Sequence, residues 1–251
     1  MKRSILGTQN RKGEACDMTV RQQKVRIRWG RLAIVAAGLL LSAAAVFLAA
    51  RLTVSIVRRG FFPAENAKQE VPQIAYHSAH DEDGDGFDDQ LDLLMGVHAY
   101  LETEPQYESI YYEGGWPDDE HGVCTDVVAQ GMLAAGYDLM ELIDRDIREH
   151  PEAYPVETPD ANIDFRRVRN QDVWLRRHAV MLTTDLDDTQ AWQPGDVVVF
   201  GDTEHIGVLS DRLNANGIPY LLHNGSPLQV SYEENKLELL RDSITGHYRI
   251  S

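Results

Sequence analysis

The chain has 251 residues, 24 Lys and Arg against 40 Asp and Glu, 43% apolar residues and two cysteines, enough for one well-packed domain with appendages. Collagen-like, low-complexity and disulfide-scaffold proteins are excluded. A formal charge of −16, with no basic face carrying interleaved aromatics beyond the first thirty residues, sets nucleic acid aside, because binding it requires phosphates to be neutralised.

Residues 1–31 carry nine bases against two acids, a net of +7, and read as a basic cytoplasmic tail. Residues 32–50 (LAIVAAGLLLSAAAVFLAA) are uncharged throughout; at ~1.5 Å per residue such a run nearly spans a ~30 Å hydrocarbon core and predicts a transmembrane anchor. The basic flank keeps the N-terminus in the cytoplasm and exports everything that follows to the periplasm or the extracellular space. A cleaved signal peptide, cut after Ala43-Ala44-Ala45, is the alternative, and it exports the same domain. From residue 60 onward 12 bases face 38 acids, a net of −26. Residues 51–80 read as a linker.

Residues 81–92 (DEDGDGFDDQLD) follow a calcium-loop spacing. Asp81, Asp83, Asp85, Asp89 and Asp92 occupy loop positions 1, 3, 5, 9 and 12, Gly86 turns the chain at position 6, and the Phe87 backbone carbonyl takes position 7. Asp at position 12 and Asp88 at position 8 make it closer to the short D-x-D-x-D-G loops of extracellular repeats than to a sensor. Ca²⁺ is expected there in a structural, stiffening role, at the ~10⁻⁴ to 10⁻³ M affinity of exported modules. A solvated acidic linker is the alternative.

Cys16 lies before the apolar run, so the exported part holds Cys124 without a disulfide partner. Cys124 opens HGVCTDVVAQGMLAAGYDL, where Val127, Val128, Met132 and Ala135 give an apolar stripe at helical spacing and Gly136 ends the helix. A thiol at a helix start feels unpaired N–H groups and the positive end of the macrodipole, which lower its pKa from ~8.5 toward ~3.5 to 7.5. That is a nucleophile's position, although small buried hydrophobes are the commoner use of free cysteine. Asp138 and Glu141 then predict a capping box for a helix ended by Pro151, and Asn170 caps a shorter helix, Gln171 to His178. Arg166, Arg167, Arg169, Arg176 and Arg177 form the domain's one basic cluster, read as surface ion pairing, or else as a clamp for substrate carboxylates.

The second half reads as sheet. Strands Val197 to Phe200, His205 to Leu209 and Tyr220 to Asn224 are separated by turns at Gly201-Asp202-Thr203 and Asn214 to Gly217. A helix-borne cysteine with histidine on a neighbouring strand is what a thiol hydrolase requires.

PGDVVVF, HIGVLSD and LLHN, placed after that cysteine, resemble the permuted papain-like superfamily that contains the NlpC-type cell-wall peptidases. GVCTDVV, PDANIDFRRV, HIGVLSD, HN and ITGHYR look more closely like an exported bacterial family of unknown function placed in that superfamily. The resemblance runs from Tyr107 to Arg249. It implies an α+β, papain-like fold over residues 93–251, a helix-borne cysteine packed on an antiparallel sheet, Cys124 as nucleophile, His205 as general base and no cofactor for the chemistry. His223 matches the third, orienting residue, and Asn224 competes for it; strand alternation lets only one of them face His205. Tyr112 lies where such peptidases place a substrate-orienting tyrosine.

The expected function is therefore a membrane-anchored cysteine amidase or endopeptidase acting on peptidoglycan-type or other envelope amides. An acyltransferase or deamidase using the same pair, and an inactive calcium-dependent envelope-binding module, are the alternatives. No HExxH, zinc-type cysteine pairs, P-loop or GxSxG is present.

Overall fold

The computed structural model describes residues 76–250. The basic tail, the apolar run 32–50 and the linker up to residue 75 lie outside them. No helix among the described residues is long and apolar enough to cross a membrane.

Local chemistry sets the helices. In α1 (Asp89–Leu101) the Asp88 side chain accepts the Leu91 N–H, and Leu93, Leu94, Val97 and Leu101 form the buried face, as helical spacing requires. The calcium-loop spacing of residues 81–92 does not announce this helix, whose first turn it overlaps. α2 spans Cys124–Ala134 and stops where expected, with Gly136 at a φ of +85°. Tyr137 N–H bonds Met132 O at 2.8 Å and Gly136 N–H bonds Leu133 O at 3.1 Å, the paired bonds of a Schellman cap. The two helices touch backbone to backbone: a Cβ at Gly96 would lie 2.3 Å from the Ala134 Cβ.

α3 (Leu139–Glu149) buries Leu139, Ile143 and Ile147, and Asp138 caps it through the Met140 and Glu141 N–H groups. The return bond expected from Glu141 is not formed. A short α4 (Ala161–Asp164) leads to α5 (Val168–His178), which begins earlier than the expected Gln171. Asn170 is not its cap: buried inside the helix, it donates to the Asp164 carbonyl at 2.9 Å, while extended Arg167 occupies the cap position.

Six strands make one antiparallel sheet: β3 (Val180–Met181), β4 (Val197–Phe200), β5 (His205–Leu213), β6 (Pro219–Leu222), β7 (Glu233–Glu234) and β8 (Ile244–Arg249), in the order β3-β8-β4-β5-β6-β7. A parallel pair, β1 (Gln106–Tyr107) with β2 (His121–Gly122), leads into α2. The four residues of β4 are all buried because both faces of the sheet are covered. Val197, Val199, Ile206, Val208 and Leu222 pack under the helices; Val198, Phe200, Leu209 and Leu221 pack with Leu186, Trp192 and Leu237 on the other side. This alternation is the period of two expected of strands. The chain is thus α+β with a helix-borne cysteine on an antiparallel sheet.

Candidate active site

Cys124 is the first residue of α2, and its N-cap, Val123, has no side chain to offer the helix end. Asp126 does that work instead: its Oδ2 accepts the Val123 N–H at 2.8 Å. Arg166 then closes on the same carboxylate, Nε to Oδ1 at 2.6 Å and Nη2 to Oδ2 at 2.8 Å, while Nη1 donates to the Ile110 carbonyl at 2.6 Å. Both side chains are buried, 2% exposed for Arg166 and 0% for Asp126. The bidentate geometry and the further bond to the Ile110 carbonyl supply the pairing that two buried charges need. Arg166 is therefore neither a surface residue nor a substrate clamp; it pins the helix start. Arg176 and Arg177 do make partly exposed ion pairs, with Asp172 and Asp146.

The Cys124 sulfur lies against the first turn of its own helix and the backbone N–H of Ile206, the residue after His205. The two imidazoles sit together: His205 Nε2 and His223 Nδ1 are 3.1 Å apart, with the rings nearly perpendicular. Beyond them, His223 Nε2 lies 3.4 Å from Glu234 Oε2, which also pairs with Lys236 Nζ at 3.4 Å. Gly225 makes room for this line, since a Cβ there would be 2.7 Å from His205 Cε1 and 3.0 Å from His223 Nδ1. Asn224, one residue on, faces the other way: its Nδ2 donates to the carbonyls of Pro105 at 2.9 Å and Gly122 at 3.0 Å. It ties the strand end to the segment that delivers Cys124. Among the described residues no hydrogen bond joins the Cys124 sulfur to the His205 ring.

Electrostatics differ from the expectation for a helix-start thiol. Burial pushes Cys124 up to about 11, and the Asp126 carboxylate pushes the same way, against the backbone N–H groups of Ile206, Thr125 and Cys124. Burial outweighs the helix end because a thiolate loses more hydration than a few N–H groups return. His205 is pushed down to about 4, first by burial and then by His223 and Lys236, with Glu234 opposing. The resting pair is a neutral thiol and a neutral imidazole. Glu234 is held below the usual carboxylate range by His223 and then Lys236.

Tyr112 is buried, and its hydroxyl donates to Asp119 at 2.7 Å beneath the Arg166 guanidinium. Burial and that bond push it up to about 12, so it serves as a strut rather than a free donor. Glu234 and Asp126 escaped the sequence reading: Glu234 sits in the polar run SYEENK, and Asp126 reads simply as a first-turn acid. A cleft of about 500 Å³ is lined by Pro105, Tyr107, Asn224, Gln229 and Tyr232 among others; Cys124, His205 and His223 do not line it.

The acidic loop is assembled in part. Asp81, Asp83 and Asp85 bring carboxylate oxygens within 4.8 Å of one another. Phe87 N–H donates to Asp85 Oδ1 at 2.9 Å. Asp89 leaves the expected ligand set: its Oδ1 accepts the Glu82 N–H at 2.8 Å and its Oδ2 the Tyr137 hydroxyl at 2.6 Å. Burial and the carboxylates of Asp85, Asp83, Asp81 and Asp88 push Asp92 up to about 6.

Among known proteins, the family model described as a domain of unknown function, DUF1287, matches residues 95–250. The chain is 36% identical over 161 residues to the uncharacterized protein YijF of Escherichia coli (strain K12), a match covering 61% of this chain and 76% of that protein. No solved structure matches. Cys124, Arg166, His205, His223 and Glu234 fall inside the family segment and the 81–92 loop precedes it, so the chain belongs to the DUF1287 family through the part that carries its thiol and histidine line.

Proposed function

We propose that this protein is a membrane-anchored cysteine amidase or endopeptidase of papain-like, NlpC-type fold, acting on peptidoglycan-type amide bonds outside the cytoplasm. The observation that carries the reading is the line His205–His223–Glu234, at 3.1 and 3.4 Å, beside the strand start against which the Cys124 sulfur rests. The charge asymmetry and the 32–50 run support the anchor and its orientation.

The reading assigns one set of tautomers. Glu234 Oε2 lies 3.4 Å from His223 Nε2, which forms no hydrogen bond at rest; a proton on that nitrogen, drawn to the carboxylate, leaves Nδ1 to accept. His205 Nε2 must then donate, which leaves His205 Nδ1 as a free lone pair for the thiol. As sulfur attacks the carbonyl carbon, the thiol proton passes to His205 Nδ1. The C–N bond then breaks, the imidazolium protonates the leaving amine, and a thioester remains. Water attacks the thioester, gives its proton to His205, and the carboxylic acid departs as sulfur is reprotonated. The Cys124 N–H, at a helix start with no intrahelical acceptor, faces the developing oxyanion. Catalytic hydrogen bonds absent from an unliganded site commonly form with substrate.

One observation favours a second reading, an inactive envelope-binding module: among the described residues no hydrogen bond joins the Cys124 sulfur to His205, while burial pushes the thiol up. Incubating the full chain, in mild detergent, with purified peptidoglycan fragments separates the two by mass spectrometry. Wild type is expected to give product pairs that together weigh the substrate plus one water, and Cys124→Ala none; fragments left intact by both would end the hydrolase reading. Glu234→Gln keeps an acceptor for His223 but removes the charge that raises His205. The acid limb of kcat/KM, expected near pH 4 from His205, should move lower in that variant; an unmoved limb would strike Glu234 from the line.

A further inference from the structure

The connection from β6 to β7 carries His223 and delivers Glu234, so its shape decides whether the histidine line forms. Its mouth is closed by the His223 N–H, which donates to the Tyr232 carbonyl at 2.9 Å and extends the β6–β7 ladder by one bond. Beyond that bond runs GSPLQVSY, residues 225–232, where Leu228 is 80% and Val230 53% exposed. Gln229, between these two, turns inward instead. Its Oε1 accepts the Gly225 N–H at 2.7 Å, and its Nε2 donates to the His223 carbonyl at 2.7 Å and to the Ser231 carbonyl at 2.8 Å. These partners fix the orientation of the amide: exchanging its oxygen and nitrogen would set donor against donor at Gly225 and oxygen against both carbonyls.

We propose that Gln229 is a positioning residue, which holds His223 and Gly225 so that the His223 ring meets that of His205. The inference rests on the catalytic part proposed above for these imidazoles. Both backbone polar groups of His223 are held from within its own loop, the N–H by Tyr232 and the carbonyl by Gln229, which fixes the direction in which its side chain leaves the chain. The same amide holds the Gly225 N–H. Gly225 is the residue whose missing side chain lets the rings approach, since a Cβ there would crowd His205 Cε1 at 2.7 Å and His223 Nδ1 at 3.0 Å. A shift of about half an ångström at this point would open the 3.1 Å contact between the rings to a distance at which no hydrogen bond remains.

The first test does not depend on catalysis. The full chain, with nitrogen-15 in its histidines and held in mild detergent, is observed by NMR at the imidazole nitrogens. Wild type is expected to show one fixed tautomer each for His205 and His223. Gln229→Met, close in length but without either polar atom, should replace these signals with averages over both tautomers. His247, stacked on Trp192 and bonded to Asp196 and the Thr183 carbonyl, should keep its own. Ser226→Ala removes a different bond of the same loop, that from the Leu228 N–H, and should alter none of them. If Gln229→Met disturbs His247 as well, Gln229→Glu takes its place: it keeps an acceptor for the Gly225 N–H but, when ionised, offers the two carbonyls no donor. Fixed tautomers retained at His205 and His223 in the folded variant, or the same averaging caused by Ser226→Ala, would overturn the assignment. Turnover of peptidoglycan fragments is the second readout: Gln229→Met should lower kcat about tenfold to a hundredfold with KM unchanged, and should add nothing to the loss in His223→Ala. An equal further loss in that background would make Gln229 a plain loop staple and overturn its action through His223. Absence of turnover in wild type would count against the amidase reading alone, because the ring spectra decide the part of Gln229 without it.

Discussion

Arg166→Met is expected to cost about 3 to 5 kcal/mol, the penalty of stranding a buried charge whose partner is removed. For a domain of this size that corresponds to a fall of about 6 to 20 °C in melting temperature. The change leaves Asp126 completely buried with only the Val123 N–H as a partner, and it uncovers the Ile110 carbonyl that Nη1 had bonded. Removing both charges, as Asp126→Leu with Arg166→Met, should recover much of the loss, because two apolar side chains no longer strand an ion. It should not recover all of it, since the Val123 N–H then loses its acceptor, worth about 1 kcal/mol. Arg176→Met provides the contrast: its partner is Asp172 but the guanidinium is 43% exposed, and the cost should stay within about 1 kcal/mol. Thermal melts of the four proteins decide this; Arg166→Met melting within about 2 °C of wild type would mean that the pair does not hold the helix start.

Alkylation of Cys124 by iodoacetamide should rise about tenfold per pH unit between pH 7 and 9, without a plateau at neutral pH. Only the thiolate reacts, and with the thiol pushed up to about 11 its ionised fraction grows in proportion to hydroxide throughout that range. At pH 7 the rate should be at least about tenfold below that of an unburied cysteine. The deficit in thiolate exceeds what the higher intrinsic nucleophilicity of a high-pKa sulfur returns. A plateau below pH 8 would indicate a preformed thiolate–imidazolium pair and would contradict the neutral resting site. A neutral pair assigns His205 the part of a general base that acts during attack, in the manner of a serine hydrolase, rather than that of a standing counter-ion. Mass-spectrometric labelling rates across the pH series provide the measurement.

The elements that frame Cys124 were legible because their signals are local. The helix start at the cysteine, the stop at Gly136, the cap at Asp138 and the turns dividing β4, β5 and β6 each depend on a few neighbouring residues and on backbone geometry that those residues dictate. Strand alternation likewise stated that His223 and Asn224 must face opposite ways. Which of them meets His205 depends on the register of β5 against β6, and the structure turns His223 toward it and Asn224 toward Gly122. ITGHYR was recognisable as a motif, but its insertion as β8 between β3 and β4 belongs to sheet topology.

Sequence alone determined where a thiol would stand at a helix end and which histidines would follow it, His205 opening β5 and His223 just past the end of β6, since periodicity and capping act over a few residues. Tertiary structure decided the charges around that thiol. Asp126 finds Arg166 forty positions away, Glu234 reaches His223 from β7, and Asp89 is drawn from the acidic loop to Tyr137. Burial, which a chain acquires only when distant segments close over it, overrides the helix end and leaves the sulfur protonated.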